Sequence, residues 1–114
     1  MFYNSEYICI GYEALTVSTS AKTFTQSKYK PTSGNYAGYA ATLAHVAVED
    51  NPVRFRVDGT APTDSEGVQK QSGDEFYVEG LAQLENFKII RSGSGDAKIR
   101  VHYFIPARQW RLDV

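Results

Sequence analysis

Cysteine, tryptophan and methionine each occur once in this 114-residue sequence. The single cysteine, Cys9, excludes an intrachain disulfide and a thiolate metal cage. Because Cys9 is flanked by Ile8 and Ile10, we expect it to be a small packed residue. No stretch approaches the about 20 apolar residues that a membrane span needs. The N-terminus also lacks the basic start and apolar core of a signal peptide, so we expect a protein that is neither secreted nor embedded in a membrane.

A strong net charge is also lacking. The sequence has 12 Lys and Arg residues and 13 Asp and Glu residues, which gives a formal net charge of -1. This balance argues against a protein whose main task is direct binding of nucleic acid. The hydrophobic fraction of 42% and the charged fraction of 22% are typical of one soluble globular domain.

Helical periodicity is almost absent, and alternation of apolar and polar residues recurs instead. The segment 39–49 is rich enough in alanine for a helix, but its clustered β-branched residues favour a strand. The short stretch 81–86 predicts one turn before a further strand. The predicted strands are 13–18, 22–29, 39–49, 53–57, 74–80, 87–91 and 98–105.

Two of these strands show which side chains should face the core. In VRFRV the alternation predicts Val53, Phe55 and Val57 inside, with Arg54 and Arg56 outside. In KIRVHYFI the alternation predicts two faces. One carries Ile99, Val101 and Tyr103, and the other carries Lys98, Arg100 and His102.

Turn signals every eight to twelve residues are typical of a β-sandwich or small barrel. We therefore predict an all-β fold, a β-sandwich or jelly-roll-like small barrel of about seven or eight short antiparallel strands. Its parts are an N-terminal arm or edge strand (1–12), a β-sandwich domain (13–105) and a C-terminal tail (106–114).

The motifs that resemble ligand sites are weak. SGSGDAK (92–98) has the glycines and lysine of a phosphate loop, but a strand follows where a helix is needed. The loop DGTAPTDSEG carries Asp58, Asp64 and Glu66 without EF-hand spacing. His45 and His102 lie on different predicted strands without zinc-ligand spacing, and no GxSxG motif is present. We predict no catalytic, cofactor-binding or metal-binding residues, and a protein that is not an enzyme.

Basic and aromatic residues are the remaining candidates for binding. Arg54, Arg56, Lys98, Arg100 and His102 would form a cationic stripe if their strands were neighbours, although acidic residues on adjacent strands would neutralise it. A simpler interpretation is that they are solvated outward residues.

The termini carry further candidates. Trp110 follows the last predicted strand between Arg108 and Arg111, so it either folds back onto the core or contacts a partner. The N-terminal segment carries Tyr3 and Tyr7.

Two long stretches resemble a known group of proteins. VRFRVDGTAPTDSEG and SGDEFYVEGLAQLENFKIIRSGSGDAKIRVHYF are similar to small β-rich virion proteins of tailed bacteriophages. The group shares the patterns (I/V)R(F/Y)R(V/Y)DGT.PT, GD…(L/V)EG…L.(N/Q)F and (A/I)IR(T/S)G…DA.(I/L).V.YF. The resemblance covers about Val17 to Phe104, and the first dozen residues and ARQWRLDV lie outside the shared pattern.

Among these virion proteins the chain looks most similar to head-decoration, or capsid cement, proteins. The resemblance implies a structural protein, made in the host cytoplasm, that binds the outer surface of a phage head and stabilises its lattice. It also implies contact with the major capsid protein, a homotrimer, no cofactor, no membrane and no direct contact with nucleic acid. The expected partner-binding residues are Tyr3, Tyr7, Arg54, Arg56, Arg108, Trp110 and Arg111.

Two alternatives remain open. One is another virion component of the tail, neck or head fibre, which hexameric or dodecameric assembly would favour. The other is a carbohydrate-binding or receptor-binding β module, suggested by eight tyrosines and one tryptophan. A coplanar pair of exposed rings would favour that module.

Overall fold

The computed structural model describes residues 6–107 of the chain. These residues are mostly β and form two antiparallel sheets, which confirms the predicted all-β class. Two short helices interrupt the strands. In chain order the elements are β1 (Tyr7–Val17), α1 (Gln26–Tyr29), β2 (Leu43–Glu49), β3 (Val53–Arg56), β4 (Val68–Lys70), β5 (Glu75–Glu79), α2 (Leu81–Asn86), β6 (Lys88–Arg91) and β7 (Ala97–Pro106).

The larger sheet has four strands in the order β1-β7-β2-β5, and the smaller has three in the order β4-β3-β6. The long strand β7 lies inside the larger sheet and pairs with β1 on one side and β2 on the other. A short bridge between Lys22 and Ile89 ties the segment after β1 to the smaller sheet. Residues 7–12 therefore belong to β1, at one edge of the larger sheet.

One hydrophobic core holds side chains from both sheets. Phe55 of the smaller sheet stacks on Phe76 of the larger, with ring centroids 4.3 Å apart. Phe87, between α2 and β6, is fully buried and stacks on Phe24 at 3.9 Å. The alternation predicted for β7 is confirmed, because the inner side chains Ile99, Val101 and Tyr103 are completely buried.

A bulge in β1 lets helix α1 approach the larger sheet. The pairing of β1 with β7 is irregular between Cys9 and Gly11. A Cβ atom on Gly11 would collide with the backbone carbonyl oxygen of Lys28 in α1. Glycine at this position therefore permits the contact between strand and helix.

Three predictions, for one segment and two residues, are wrong, and one strand was not predicted. The segment 22–29 is not a strand, since it holds only the bridge at Lys22 and then helix α1. Strand β4 was not predicted. Val57 is 37% exposed because β3 ends at Arg56 and the chain turns. Cys9 is exposed instead of packed, because it lies on the outward side of β1 next to the bulge.

Candidate binding surface

A row of four rings crosses the outer face of the larger sheet. The register pairs Tyr12 with His102, His102 with His45, and His45 with Tyr77, so one residue comes from each strand. Successive ring centroids lie 4.9, 6.4 and 5.2 Å apart. We call Tyr12, His102, His45 and Tyr77 the ring row. With strands about 4.8 Å apart, it spans about 14 Å of the sheet.

The tyrosines at the two ends of the ring row are exposed. Tyr12 is 42% exposed and Tyr77 is 50% exposed, although both are large hydrophobic side chains. Tyrosine offers apolar area together with a polar tip and loses little conformational entropy on contact, so exposed tyrosines are common anchors in interfaces. A flat sheet face with such rings suits contact with another broad surface.

Tyr7 continues the aromatic surface towards the start of β1. Its ring meets Phe104 edge to face at 6.4 Å, and Phe104 lies 6.4 Å from the His102 ring. The structure therefore places one of the predicted partner-binding residues, Tyr7, in a chain of rings that reaches the ring row.

Charged groups beside the ring row are paired. The Nε atom of Arg100 donates to Glu49 at 2.8 Å, and one of its terminal nitrogens, Nη1, donates to the hydroxyl of Tyr12 at 2.9 Å. These hydrogen bonds, to Tyr12 and then Glu49, raise the pKa of Arg100 above its usual value. At the other end, Nε2 of His45 lies 2.6 Å from Oε1 of Glu75. Acidic side chains on this face therefore lie against Arg100 and His45.

Arg54 and Arg56 do not lie on this surface. Their strand, β3, belongs to the smaller sheet, whereas Lys98, Arg100 and His102 lie on β7 of the larger sheet. The condition for a cationic stripe is therefore not met, because β3 and β7 are not neighbouring strands.

Both arginines have local partners instead. A terminal nitrogen of Arg54 donates to the carbonyl oxygen of Gly67 at 2.8 Å, which closes the loop before β4. The side chain of Arg56 makes two hydrogen bonds to Asp58. These bonds, supported by one from the backbone of Thr60, lower the pKa of Asp58 from 3.8 to about 2. The two arginines thus organise the turn and loop that follow β3.

Four predicted partner-binding residues lie outside the described residues. They are Tyr3, Arg108, Trp110 and Arg111.

Sequence reasoning missed the ring row as a unit. The alternation of KIRVHYFI placed His102 on the face opposite Tyr103, and both His102 and Tyr77 are exposed. The pairing of strands that are distant in the chain is what brings the four rings together, and alternation carries no information about that pairing. The available signal was one aromatic or imidazole ring at an outward position in each of four strands.

Residues 6–107 contain no group of three or more His, Cys, Asp or Glu side chains that could hold a metal ion. Among residues 6–107 no helix has the length and apolar character to cross a bilayer. No family model matches the chain, and no curated protein or solved structure is significantly similar to it.

Proposed function

We propose that this protein is a structural virion protein that decorates the outer surface of a tailed-phage capsid and stabilises the lattice. The resemblance of VRFRVDGTAPTDSEG and the stretch from Ser72 to Phe104 to virion proteins supports this proposal, as does the all-β fold with its two sheets. A β-sandwich or jelly-roll arrangement of those sheets is part of the proposal. The major capsid protein is the proposed partner.

The observation that carries the proposal is the ring row on an open sheet face. A decoration protein acts through binding energy alone, and aromatic anchors supply a large share of that energy in protein interfaces. Tyr12 and Tyr77 stand at the two ends of the row, so both sides of the sheet face can contact a neighbouring capsid subunit.

Assembly strengthens such contacts. A homotrimer that touches several capsid subunits converts modest single contacts into a high effective affinity. The strands β1 and β5 are the edges of the larger sheet, and a closed oligomer would shield edges of this kind from aggregation. The molecular mass in solution tests the trimer, because a hexamer or dodecamer would favour the tail or neck alternative.

Capsid binding by a ring-row variant tests the proposed surface. We expect Tyr77→Ser to weaken binding to expanded capsids about fivefold or more, since loss of an aromatic anchor from an interface costs above about 1 kcal/mol of binding free energy. The measurement is co-sedimentation with purified capsids of the source phage over a range of protein concentrations.

Val68→Ser is the matched control. Val68 is 52% exposed, close to the 50% of Tyr77, but it lies on β4 in the smaller sheet. We expect this control to bind as the unaltered protein does. Equal binding by both variants and the unaltered protein would overturn the role of the ring row, and absence of binding by the unaltered protein would overturn the function.

A carbohydrate-binding or receptor-binding module is the second candidate, because exposed tyrosines also stack on sugars. The ring pairs at the two ends of the row are tilted by 47° and 54°, so neither is the coplanar pair that this alternative favours. A glycan array probed with the unaltered protein and with Tyr77→Ser separates the candidates: a glycan signal lost in the variant would favour this module.

A further inference from the structure

A groove beside helix α1 is separate from the ring row. It has a volume of about 590 Å³ and lies where the segment before α1 meets helix α2. No ring-row residue lines it. Its lining residues are Thr23, Phe24, Thr25, Gln26, Tyr29 and Glu85.

A buried carboxylate stands behind this groove. Glu13 is only 8% exposed, and it projects from β1 on the side opposite the ring row. Its Oε2 atom accepts a hydrogen bond from the Tyr103 hydroxyl at 2.5 Å and another from the backbone N–H of Thr25 at 3.0 Å. Because Thr25 also lines the groove, the negative charge of Glu13 lies close to the groove wall.

Tyr29 lines the groove, and within residues 6–107 its hydroxyl has no hydrogen-bond partner. Its side chain is 5% exposed. Burial, Glu85 and Glu13 raise the pKa of Tyr29, so its hydroxyl stays neutral between two acidic groups. With no partner among residues 6–107, this neutral hydroxyl can accept a hydrogen bond from a bound group.

The outer acidic group, Glu85, has a partner that can be replaced. Lys30 lies 3.4 Å from Glu85, and the two side chains are 38% and 42% exposed. Exposed ion pairs of this kind contribute little to stability and exchange readily with other cations. An incoming cation can therefore take the place of Lys30 at Glu85.

We propose that this groove binds the guanidinium group of an arginine side chain from a partner protein. The groove offers a carboxylate on Glu85, a phenol oxygen on Tyr29 and the amide oxygen of Gln26 as acceptors. A planar guanidinium carries five N–H donors in a fixed fork, which can reach several such acceptors at once. The charge of Glu13 behind the wall further favours a cation. This inference does not depend on capsid binding.

A titration with a minimal arginine probe tests the inference. The probe is Nα-acetyl-arginine methylamide, followed by the chemical shifts of the Thr25 and Tyr29 amides in the full chain. We expect saturation with a dissociation constant of about 1 mM, in the range of a single weak anchoring contact. The neutral citrulline analogue has nearly the same shape, and we expect it to bind at least fivefold more weakly.

Variants identify the groove as the site. We expect Glu85→Gln and Tyr29→Phe each to weaken binding of the arginine probe about fivefold or more. Glu79→Gln removes an equivalent charge from an exposed position on β5 outside the groove, and we expect it to leave binding unchanged. The proposal would be overturned if the citrulline analogue, or the corresponding lysine analogue, bound as tightly as the arginine probe or more tightly. An equal loss of arginine-probe binding in Glu79→Gln and Glu85→Gln would also overturn it.

Discussion

Replacing Phe87 with alanine is expected to lower the free energy of unfolding by about 3–5 kcal/mol. Phe87 is fully buried where α2 ends and β6 begins. Its ring stacks on Phe24 at 3.9 Å and lies 5.7 Å from Phe55 and 6.4 Å from Phe76. These neighbours come from both sheets and from the segment before α1, so the cavity would open where the parts of the core meet.

Urea denaturation followed by circular dichroism measures this loss. Since small domains have only about 5–15 kcal/mol of stability, Phe87→Leu serves as a second variant that keeps most of the volume and is expected to lose less. The exposed position Tyr77, changed to alanine, is the control and is expected to change stability by less than about 1 kcal/mol. A loss below 1 kcal/mol for Phe87→Ala would show that these rings do not hold the core together.

Tyr103→Phe is expected to lower the free energy of unfolding by about 2–3 kcal/mol near neutral pH, which is within the range for a hydrogen bond to a charged group. The Tyr103 side chain is completely buried, and its hydroxyl donates to Glu13 at 2.5 Å. Without that hydroxyl, the buried Glu13 carboxylate would keep only the backbone N–H of Thr25 among the donors that bind it in the described residues. The cost is therefore that of a buried charge with one partner removed.

The same substitution should change how stability depends on alkaline pH. Burial and then the hydrogen bond to Glu13 raise the pKa of Tyr103 far above its ordinary value of 10.0. The unfolded chain releases this proton above pH 10 while the folded chain retains it. The stabilisation is thus fully present below pH 10 and falls above it, by about 1.4 kcal/mol per pH unit for one group.

Urea midpoints at pH 7, 10 and 11 test the alkaline effect. We expect the decline above pH 10 to be smaller in Tyr103→Phe by about 1.4 kcal/mol per pH unit. A decline persists in this variant because the pKa of Tyr29 is also raised. Tyr77→Phe, which removes a half-exposed hydroxyl, is the control. Identical slopes in Tyr103→Phe and the unaltered protein would contradict the role given to the buried hydroxyl.

The alternation of apolar residues predicted strand β7 well, whereas residues 7–12 of β1 were predicted only as part of an arm or edge strand. Strand β7 was predicted within one residue at each end, with its inner and outer faces correct. That success has a physical reason, because β7 pairs on both sides and buries a full face. Side chains of such a strand obey the period of two throughout.

The failures occur where tertiary contacts override that period. KTFTQSKY alternates like a strand, but Phe24 and Tyr29 both enter the core from an extended segment followed by a helical turn. Strand β4 has only three residues, so it shows no pattern of its own and exists through pairing with β3. At Cys9 the bulge shifts the alternation of β1 by one residue.

The candidate sites depended even more on pairing. Local alternation placed His45, Tyr77 and His102 on predicted strands, and Tyr12 lay just before the predicted strand 13–18. The four strands are brought together by a register that spans 65 residues between Tyr12 and Tyr77. The groove depends on the Tyr29 hydroxyl, which has no hydrogen-bond partner among residues 6–107, and only the packed structure reveals this. The resemblance to virion proteins, in contrast, came from contiguous sequence.

Oxidative footprinting on the capsid tests most directly whether the ring row is the binding surface. Hydroxyl radicals are applied to the free protein and to the protein bound to capsids, and oxidation is read by mass spectrometry at Tyr12, Tyr77 and Val68. If the ring row is the binding surface, Tyr12 and Tyr77 are strongly protected from oxidation on binding, whereas Val68 is oxidised as in the free protein. Unchanged oxidation of both tyrosines in the bound protein would contradict this role of the ring row.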